Sequence, residues 1–221
     1  MGEHSVRSQP RGRHYLAPRL AADLVRNAGV TSGDFVVEIG AGNGVITREL
    51  RARARRVIAI ELDEHAARKI GALHIDALDF RWPRAPFRVV ANLPFAHTTP
   101  ILKHLLDDPQ VALLRADVIV GWGFAVKRCS QRPSTMLSMS WAPWFELTIT
   151  RRIPATGFRP VPSTDAAVVT ITRRPDPLLP TGDAERYRRF LQRHFDDPDL
   201  DVFDWTRRYE RAFSRLSRMK A

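Results

Sequence analysis

Short apolar runs rich in β-branched residues alternate with segments of helical periodicity through the first 120 positions of this sequence. Such runs are typical of parallel strands that are covered on both faces. They predict strands at residues 35–39, 57–60, 73–75, 87–91 and 117–120. The amphipathic segments between them predict helices at residues 15–28, 45–53, 64–70 and 98–106. This alternation predicts an α/β fold with a doubly wound, Rossmann-like sheet.

The pattern changes in the last third of the chain. Residues 144–150 and 166–172 predict an antiparallel hairpin with a long connection. A proline-rich stretch at 175–180 is typical of a linker. Two basic helices are predicted beyond it, at 183–194 and 205–219. We therefore expect a large domain over residues 1–174, flexible over 1–13, and a small helical domain over 175–221.

The connection that follows Glu61 is unusually short. A helix begins at Glu64, yet the third predicted strand begins at Leu73. A parallel crossover usually takes a dozen or more residues. Either the crossover is cramped or a further stretch of chain is missing from the sequence, and we favour the second interpretation.

The net charge of the chain indicates which kinds of molecule it binds. The chain has 35 Lys and Arg against 24 Asp and Glu, a formal net charge of +11. Such an excess favours a polyanionic partner, nucleic acid first and an anionic membrane second, although an arginine-rich composition also reflects GC-rich coding. The single cysteine excludes an internal disulfide and a cysteine-based zinc site. With no apolar run of membrane-spanning length and no signal peptide, we expect a cytoplasmic monomer that binds no metal.

A glycine turn follows the first predicted strand of the sheet. Gly40, Gly42 and Gly44 form a G-x-G-x-G pattern, and Glu61 ends the next strand, where it can accept hydrogen bonds from a ribose diol. The dinucleotide fingerprint has a third small residue where this chain has Val45. A ligand without phosphate therefore fits better than a pyrophosphate. The alternative is a tight turn that binds nothing.

A second polar motif ends the fourth predicted strand, at the same sheet edge. The Asn92 side-chain oxygen and the Leu93 carbonyl can both accept hydrogen bonds from an exocyclic amine. Pro94 has no competing N–H, and Phe95 offers a ring on which a base can stack. These residues predict a pocket for an adenine or similar base swung out of its stack. Asn and Pro are also ordinary turn residues.

These motifs, in this order, resemble the ribosomal RNA adenine N6-methyltransferases. The resemblance covers roughly residues 12–175 and is carried by Arg13-His14-Tyr15-Leu16, by Glu38 to Gly44, by Asn92 to Phe95 and by Phe158-Arg159-Pro160-Val161-Pro162. Residues 134–138 and 141–146 are similar to the branch that acts on 23S rRNA. The chain departs from the family pattern at two positions. Arg13 stands where members usually have a glutamine, and Gly121 lies near a position where members often have a second glutamine.

The resemblance implies S-adenosylmethionine as the cofactor and a catalytic role for Asn92, Leu93, Pro94 and Phe95. It implies cofactor contacts from His14, Leu16, Glu38, Gly40, Gly42, Gly44, Glu61, Leu62, Asp76, Ala77 and Asn92. We expect substrate contacts from Tyr15, Phe95, Lys127, Arg128, Arg159, Arg188 and Arg189, with Arg132 and further tail arginines as candidates. The domain at 1–174 is then catalytic, and the basic domain at 175–221 binds RNA.

The leading hypothesis is N6-methylation of an adenine in 23S rRNA, which confers resistance to macrolide, lincosamide and streptogramin B antibiotics. Three alternatives remain open. One is dimethyladenosine transfer to 16S rRNA during small-subunit maturation, and another is a non-catalytic RNA-binding factor of the same fold. An NAD-dependent dehydrogenase is a distant third. The sequence leaves the number of transferred methyl groups open.

Overall fold

The computed structural model describes residues 14–129, 135–197 and 199–218, with side chains to residue 213. The predicted flexible segment 1–13, Arg13, Arg132 and Ser134 lie outside the described residues. The strands are β1 (Tyr15–Leu16), β2 (Phe35–Ile39), β3 (Arg56–Glu61), β4 (Leu73–His74), β5 (Phe87–Asn92), β6 (Leu113–Gly121), β7 (Phe145–Ile153), β8 (Phe158–Arg159) and β9 (Ala166–Arg173). The helices are α1 (Pro18–Asn27), α2 (Val45–Arg51), α3 (Glu64–Ile70), α4 (Thr98–Leu106), α5 (Trp122–Arg128), α6 (Met136–Trp141), α7 (Ala184–His194) and α8 (Val202–Arg218).

Seven strands form the central sheet in the order β4-β3-β2-β5-β6-β9-β7. The first five are parallel to one another, and β9 and β7 add an antiparallel hairpin beyond β6. The predicted doubly wound α/β fold is confirmed. The carboxyl ends of β2, β3 and β5 therefore meet at one edge of the sheet, where open α/β sheets bind ligands.

Side-chain alternation along the central strands divides the interior into two cores. In β2, Val37 and Ile39 face the core formed with α4, α5 and α6, while Val36 faces the core formed with α1 and α2. All five residues of β2 are buried. This explains why the strand is apolar on both faces apart from Glu38, instead of alternating between apolar and polar residues.

The amino-terminal helix begins later than the periodicity predicts. Residues 15–28 were expected to be one helix, but Tyr15 and Leu16 form β1, which pairs antiparallel with β8. Pro18 at the start of α1 explains the difference. A residue before proline is held in extended backbone, so Ala17 cannot be helical and the helix starts at the proline.

The short crossover closes with the residues present. Asp63 caps α3 by accepting a hydrogen bond from the Ala66 amide at 2.8 Å, and Gly71 ends the helix in the left-handed region. Strand β4 then needs only two residues beside Ile60 and Glu61. A two-turn helix is thus long enough to reach this edge strand, and the preference for a missing stretch of chain stays a prediction.

The two carboxyl-terminal helices pack against the hairpin side of the sheet. Tyr187 of α7 contacts Trp144 edge-to-face with ring centroids 6.0 Å apart, and Trp205 of α8 is fully buried. The Trp144 indole N–H donates to the Leu179 carbonyl at 2.8 Å. These helices share the larger of the two cores with β7 and β9. The division into two domains at residue 174/175 stays a prediction.

Candidate functional site

The glycine turn between β2 and α2 adopts backbone that a side chain would strain. Gly40, Gly42 and Gly44 have φ of +71°, +56° and +78°. The amides of Gly40 and Ala41 donate to the Ile60 carbonyl at 2.9 and 3.1 Å, so the turn is tied to the end of β3. A Cβ on Gly44 would lie 2.8 Å from the Ile70 side chain. The positive φ values therefore favour glycine at all three positions, and at Gly44 the nearby Ile70 side chain also leaves no room for a Cβ.

Glu61 joins the glycine turn to the start of α3. One carboxylate oxygen accepts from the Gly42 amide at 2.7 Å, and the other accepts from the Asp63 amide at 2.9 Å. The residue is 5% exposed and lines the cleft described below. These two contacts hold the Glu61 carboxylate at the cleft, and a carboxylate is an acceptor to which a diol can donate hydrogen bonds.

Glu38 lies beneath the turn and is not among the residues that line the cleft. Burial raises its pKa from about 4.5 to about 8, and the nearby Glu61 adds to the rise, while Thr47 and Arg51 oppose it. One carboxyl oxygen has no hydrogen-bond partner among the described residues. Glu38 is therefore largely protonated at neutral pH and supports the turn from below.

The raised pKa of Glu38 predicts a pH-dependent stability. Because the folded pKa is about 8 and the ordinary value is 4.5, the free energy of unfolding should fall as pH rises through this window. The slope is at most about 1.4 kcal/mol per pH unit. Glu38→Gln, which carries no titrating proton, should become progressively more stable relative to the wild type from pH 5 to 8. Urea unfolding at four pH values checks this, and parallel stability curves for the two proteins would contradict it.

Asn92 is held at the end of β5 with its amide in one orientation. The Asn92 side-chain N–H donates to the His14 carbonyl at 2.8 Å. Its side-chain oxygen is buried and has no hydrogen-bond partner among the described residues. Burying an unpaired acceptor is costly, so this oxygen is poised to accept a donor from a bound molecule.

Phe95 stands beside Asn92 on the turn that follows β5. Its ring lies 5.6 Å from the His14 ring and contacts Phe158 edge-to-face at 6.0 Å. A Cβ on Gly121 would lie 3.6 Å from the Phe95 ring. Gly121 therefore forms the wall behind Phe95.

Strands β1 and β8 form a two-stranded clasp over this edge of the sheet. The His14 ring nitrogen Nδ1 hydrogen-bonds the Pro160 carbonyl at 2.9 Å, and the Ala17 amide donates to the Gly157 carbonyl at 3.1 Å. The Tyr15 ring lies over the glycine turn, 3.2 Å from where a Cβ of Gly42 would be. The clasp thus connects residues 158–162 to the glycine turn after β2 and to the turn after β5.

One cleft of about 270 Å³ gathers most of the predicted residues. Those that line it are His14, Tyr15, Gly40, Gly42, Glu61, Leu62, Asp76, Ala77, Asn92, Leu93, Pro94 and Phe95. Leu16, Glu38 and Gly44 do not line it, because Leu16 is buried in the smaller core and the other two support the turn. The sequence reasoning missed Ile39, Ile60, Ile75, Leu78, Ala96, His97 and Ile101. Most of these adjoin a predicted residue, and that adjacency was the signal available.

Comparison with known proteins then identifies the family. Residues 9–198 match the family model described as ribosomal RNA adenine dimethylase. The chain belongs to this family.

Three relatives illustrate the match. An rRNA adenine N-6-methyltransferase from Corynebacterium diphtheriae is 34% identical over 182 residues, covering 78% of this chain and 70% of that protein. The mycinamicin-resistance protein MyrB from Micromonospora griseorubida is 33% identical, covering 85% and 64%. The crystal structure of the 23S rRNA methyltransferase ErmE superposes with a TM-score of 0.71 at 28% identity, covering 80% of this chain and 77% of that one. The predicted adenine methyltransferase family is confirmed, and these relatives agree with its 23S rRNA branch.

The basic residues that were predicted to contact RNA lie on three separate elements, α5, β8 and α7. Lys127 is exposed at the end of α5 and Arg159 is exposed on the clasp. Arg128 packs over the Phe124 ring at 5.4 Å and is half-buried. In the tail, Arg188 donates to the Asp107 carbonyl, and Arg189 forms a 3.5 Å ion pair with Glu185.

Among residues 14–129, 135–197 and 199–218, no helix is long and apolar enough to cross a membrane. Within the same residues, no group of three or more His, Cys, Asp or Glu side chains is arranged to hold a metal ion.

Proposed function

We propose that this protein transfers a methyl group from S-adenosylmethionine to N6 of an adenine in 23S rRNA, which protects the ribosome from macrolide, lincosamide and streptogramin B antibiotics. The observation that carries the proposal is the oriented Asn92 amide. Its N–H donates to the His14 carbonyl, while its side-chain oxygen has no hydrogen-bond partner among the described residues. An exocyclic amine is a donor that this oxygen can accept.

The residues of the cleft fit S-adenosylmethionine, a cation-bearing cofactor without phosphate. Among the described residues, the lining contains the acids Glu61 and Asp76 but neither lysine nor arginine. A pyrophosphate would favour basic side chains or a third small residue after the turn, and this chain has Val45 there. The dehydrogenase alternative is therefore disfavoured. Glu61 would hold the ribose, Asp76 the adenine, and Gly40 and Gly42 would let the methionine portion approach the backbone.

The protein's own contribution to the reaction is position and charge stabilisation. When bound, the cofactor supplies an electrophilic methyl group, so no protein nucleophile is needed. The adenine N6 lone pair is delocalised into the ring and is a weak nucleophile. By accepting both N6 hydrogens, the Asn92 oxygen and the Leu93 carbonyl favour positive charge developing on that nitrogen. Phe95 holds the plane of the base. The methylated amine is acidic and loses its proton to water.

The test is transfer of labelled methyl from S-adenosylmethionine to protein-free 23S and 16S rRNA, followed by mapping of the modified base. We expect label on N6 of one 23S adenine. Label on 16S rRNA alone would assign the protein to small-subunit maturation, and cofactor binding without label on either RNA would indicate another RNA substrate. Absence of cofactor binding would favour the non-catalytic RNA-binding alternative.

We assign RNA binding to the basic helices at 175–221 as part of this proposal. Arg189, Arg193 and Arg211 are exposed on α7 and α8. Replacing all three with glutamine should weaken RNA binding and reduce the slope of log affinity against log salt by about 2, because each phosphate contact contributes about 0.7 on single strands. Titrations of RNA binding at salt concentrations between about 50 and 200 mM measure the change in slope.

A matched triple variant controls for net charge. Arg55, Arg81 and Arg84 are exposed next to the amino ends of β3 and β5, at the sheet edge opposite the cleft. Their replacement by glutamine removes the same charge and should change the slope far less. An equal change in both triple variants would remove the tail from the binding surface.

A further inference from the structure

An arginine and a tryptophan are stacked beside the cleft but are not part of its lining. The Arg152 guanidinium carbon lies 4.5 Å from the centre of the Trp122 ring. Trp122 is the first residue of α5 and directly follows Gly121. Arg152 is on β7, and 60% of its side chain is exposed.

Asp165 locks the Arg152 guanidinium in place. Its carboxylate accepts from Nε of Arg152 at 2.9 Å and lies 2.8 Å from a terminal guanidinium nitrogen. The other Asp165 oxygen accepts from the Ala155 amide at 3.0 Å, and its main-chain carbonyl accepts from the Trp122 amide at 2.9 Å. One residue thus fixes both members of the stacked pair and neutralises the arginine.

Strand register places the pair next to the predicted base pocket. Gly121 is paired with Ala166, and Ala166 is paired with Ile153, the residue after Arg152. Two strand spacings, or about 10 Å, separate β6 from β7. Gly121 forms the wall behind Phe95. The stacked pair therefore lies beside Phe95 at the same edge of the sheet.

We propose that Trp122 and Arg152 form a stacking platform for the base next to the target adenine in single-stranded rRNA. The inference rests on the proposed function, because a target base swung into the Phe95 pocket leaves its neighbour without a stacking partner. An arginine plane backed by an aromatic ring stacks any base. Its charge is already paired with Asp165, so its plane, and not its charge, is what it offers to RNA.

The experiment compares single-stranded RNA binding and methyl transfer for three variants. Arg152→Ala should raise both the Kd and the KM for RNA about 5- to 100-fold, the range for loss of one stacked base, with kcat and cofactor affinity unchanged. Arg152→Lys should be as impaired as Arg152→Ala, because lysine keeps the charge but has no plane. Arg151→Ala is the matched control: Arg151 is the neighbouring residue on β7 and pairs with Asp23 instead, so its loss should leave both constants near wild type.

An abasic substrate isolates the stacking contact. Removing the base on one side of the target adenine should weaken wild-type binding as much as Arg152→Ala does, and should cost the variant nothing further. Restored binding in Arg152→Lys would overturn the platform. So would losses that add to that of Arg152→Ala whichever neighbour of the target adenine, 5′ or 3′, is made abasic. A wild-type protein that methylates no rRNA would instead sink the proposed function, and the binding titrations of the three variants would still decide the platform.

Discussion

Replacing Asn92 by alanine is expected to reduce methyl transfer about a hundred- to a thousandfold, the loss seen when one preorganised group that stabilises a transition state is removed. The variant loses the acceptor that faces the substrate amine and also the contact with the His14 carbonyl. RNA binding should remain nearly intact, since the basic surface is untouched. Single-turnover transfer of labelled methyl and RNA titrations, run on the same preparation, measure the two effects.

Two further substitutions sharpen this prediction. Asn92→Asp keeps the acceptor but loses the N–H that the His14 carbonyl engages, so it should retain part of the activity. Asn27→Ala removes an exposed asparagine at the end of α1, outside the cleft, and should behave as wild type. Full activity in Asn92→Ala would end the role proposed for this residue.

Replacing Glu61 by alanine is expected to weaken S-adenosylmethionine binding by about a hundredfold or more. Each hydrogen bond to a charged group contributes about 1.5–3 kcal/mol, and Glu61 is placed to accept two from a ribose diol. The variant also leaves the Gly42 and Asp63 amides without the acceptor that now holds them, which loosens the turn. Calorimetric titration with the cofactor measures the loss.

Glu61→Gln and a nearby acid separate these contributions. Glutamine keeps one acceptor oxygen at the same place but carries no charge, so its loss of affinity should be intermediate. Glu64→Ala removes an exposed acid from the first turn of α3, where it pairs with Arg68 at 2.6 Å, and should leave cofactor affinity near wild type. Equal affinities for wild type and Glu61→Ala would contradict the assignment of Glu61 to the cofactor.

Several features of the site follow from local sequence alone. The apolar runs at β2, β3 and β5 each lead into glycine or a polar residue at the carboxyl end of the strand, and parallel strands bring those ends together at one edge of the sheet. The positions of Gly40, Gly42, Glu61 and Asn92 in one cleft are a direct consequence. The hydrophobic pattern and the residue types at the strand ends were enough to predict these positions, because both depend on residues that are close together along the chain.

Other features depend on contacts between distant residues. The clasp joins Tyr15 to Arg159 across more than 140 positions, and no local period indicates that a two-residue strand forms there. The His14 carbonyl that orients Asn92 is a backbone group, so no sequence motif could predict its contact with Asn92. The Trp122–Arg152 stack and the engagement of Arg188 by Asp107 likewise arise only when strands and helices meet.

Local sequence was enough to predict the fold class, the sheet edge at which the cleft lies and the residue types of the two turns there, because backbone conformation, burial pattern and side-chain type are local properties. The contacts of the folded chain show which atom of the Asn92 amide is engaged by the protein, which arginines are engaged inside it and what lies beside Phe95. Those outcomes depend on which groups become neighbours in space, and a hydrogen bond or a stacked plane exists only once both partners are in place.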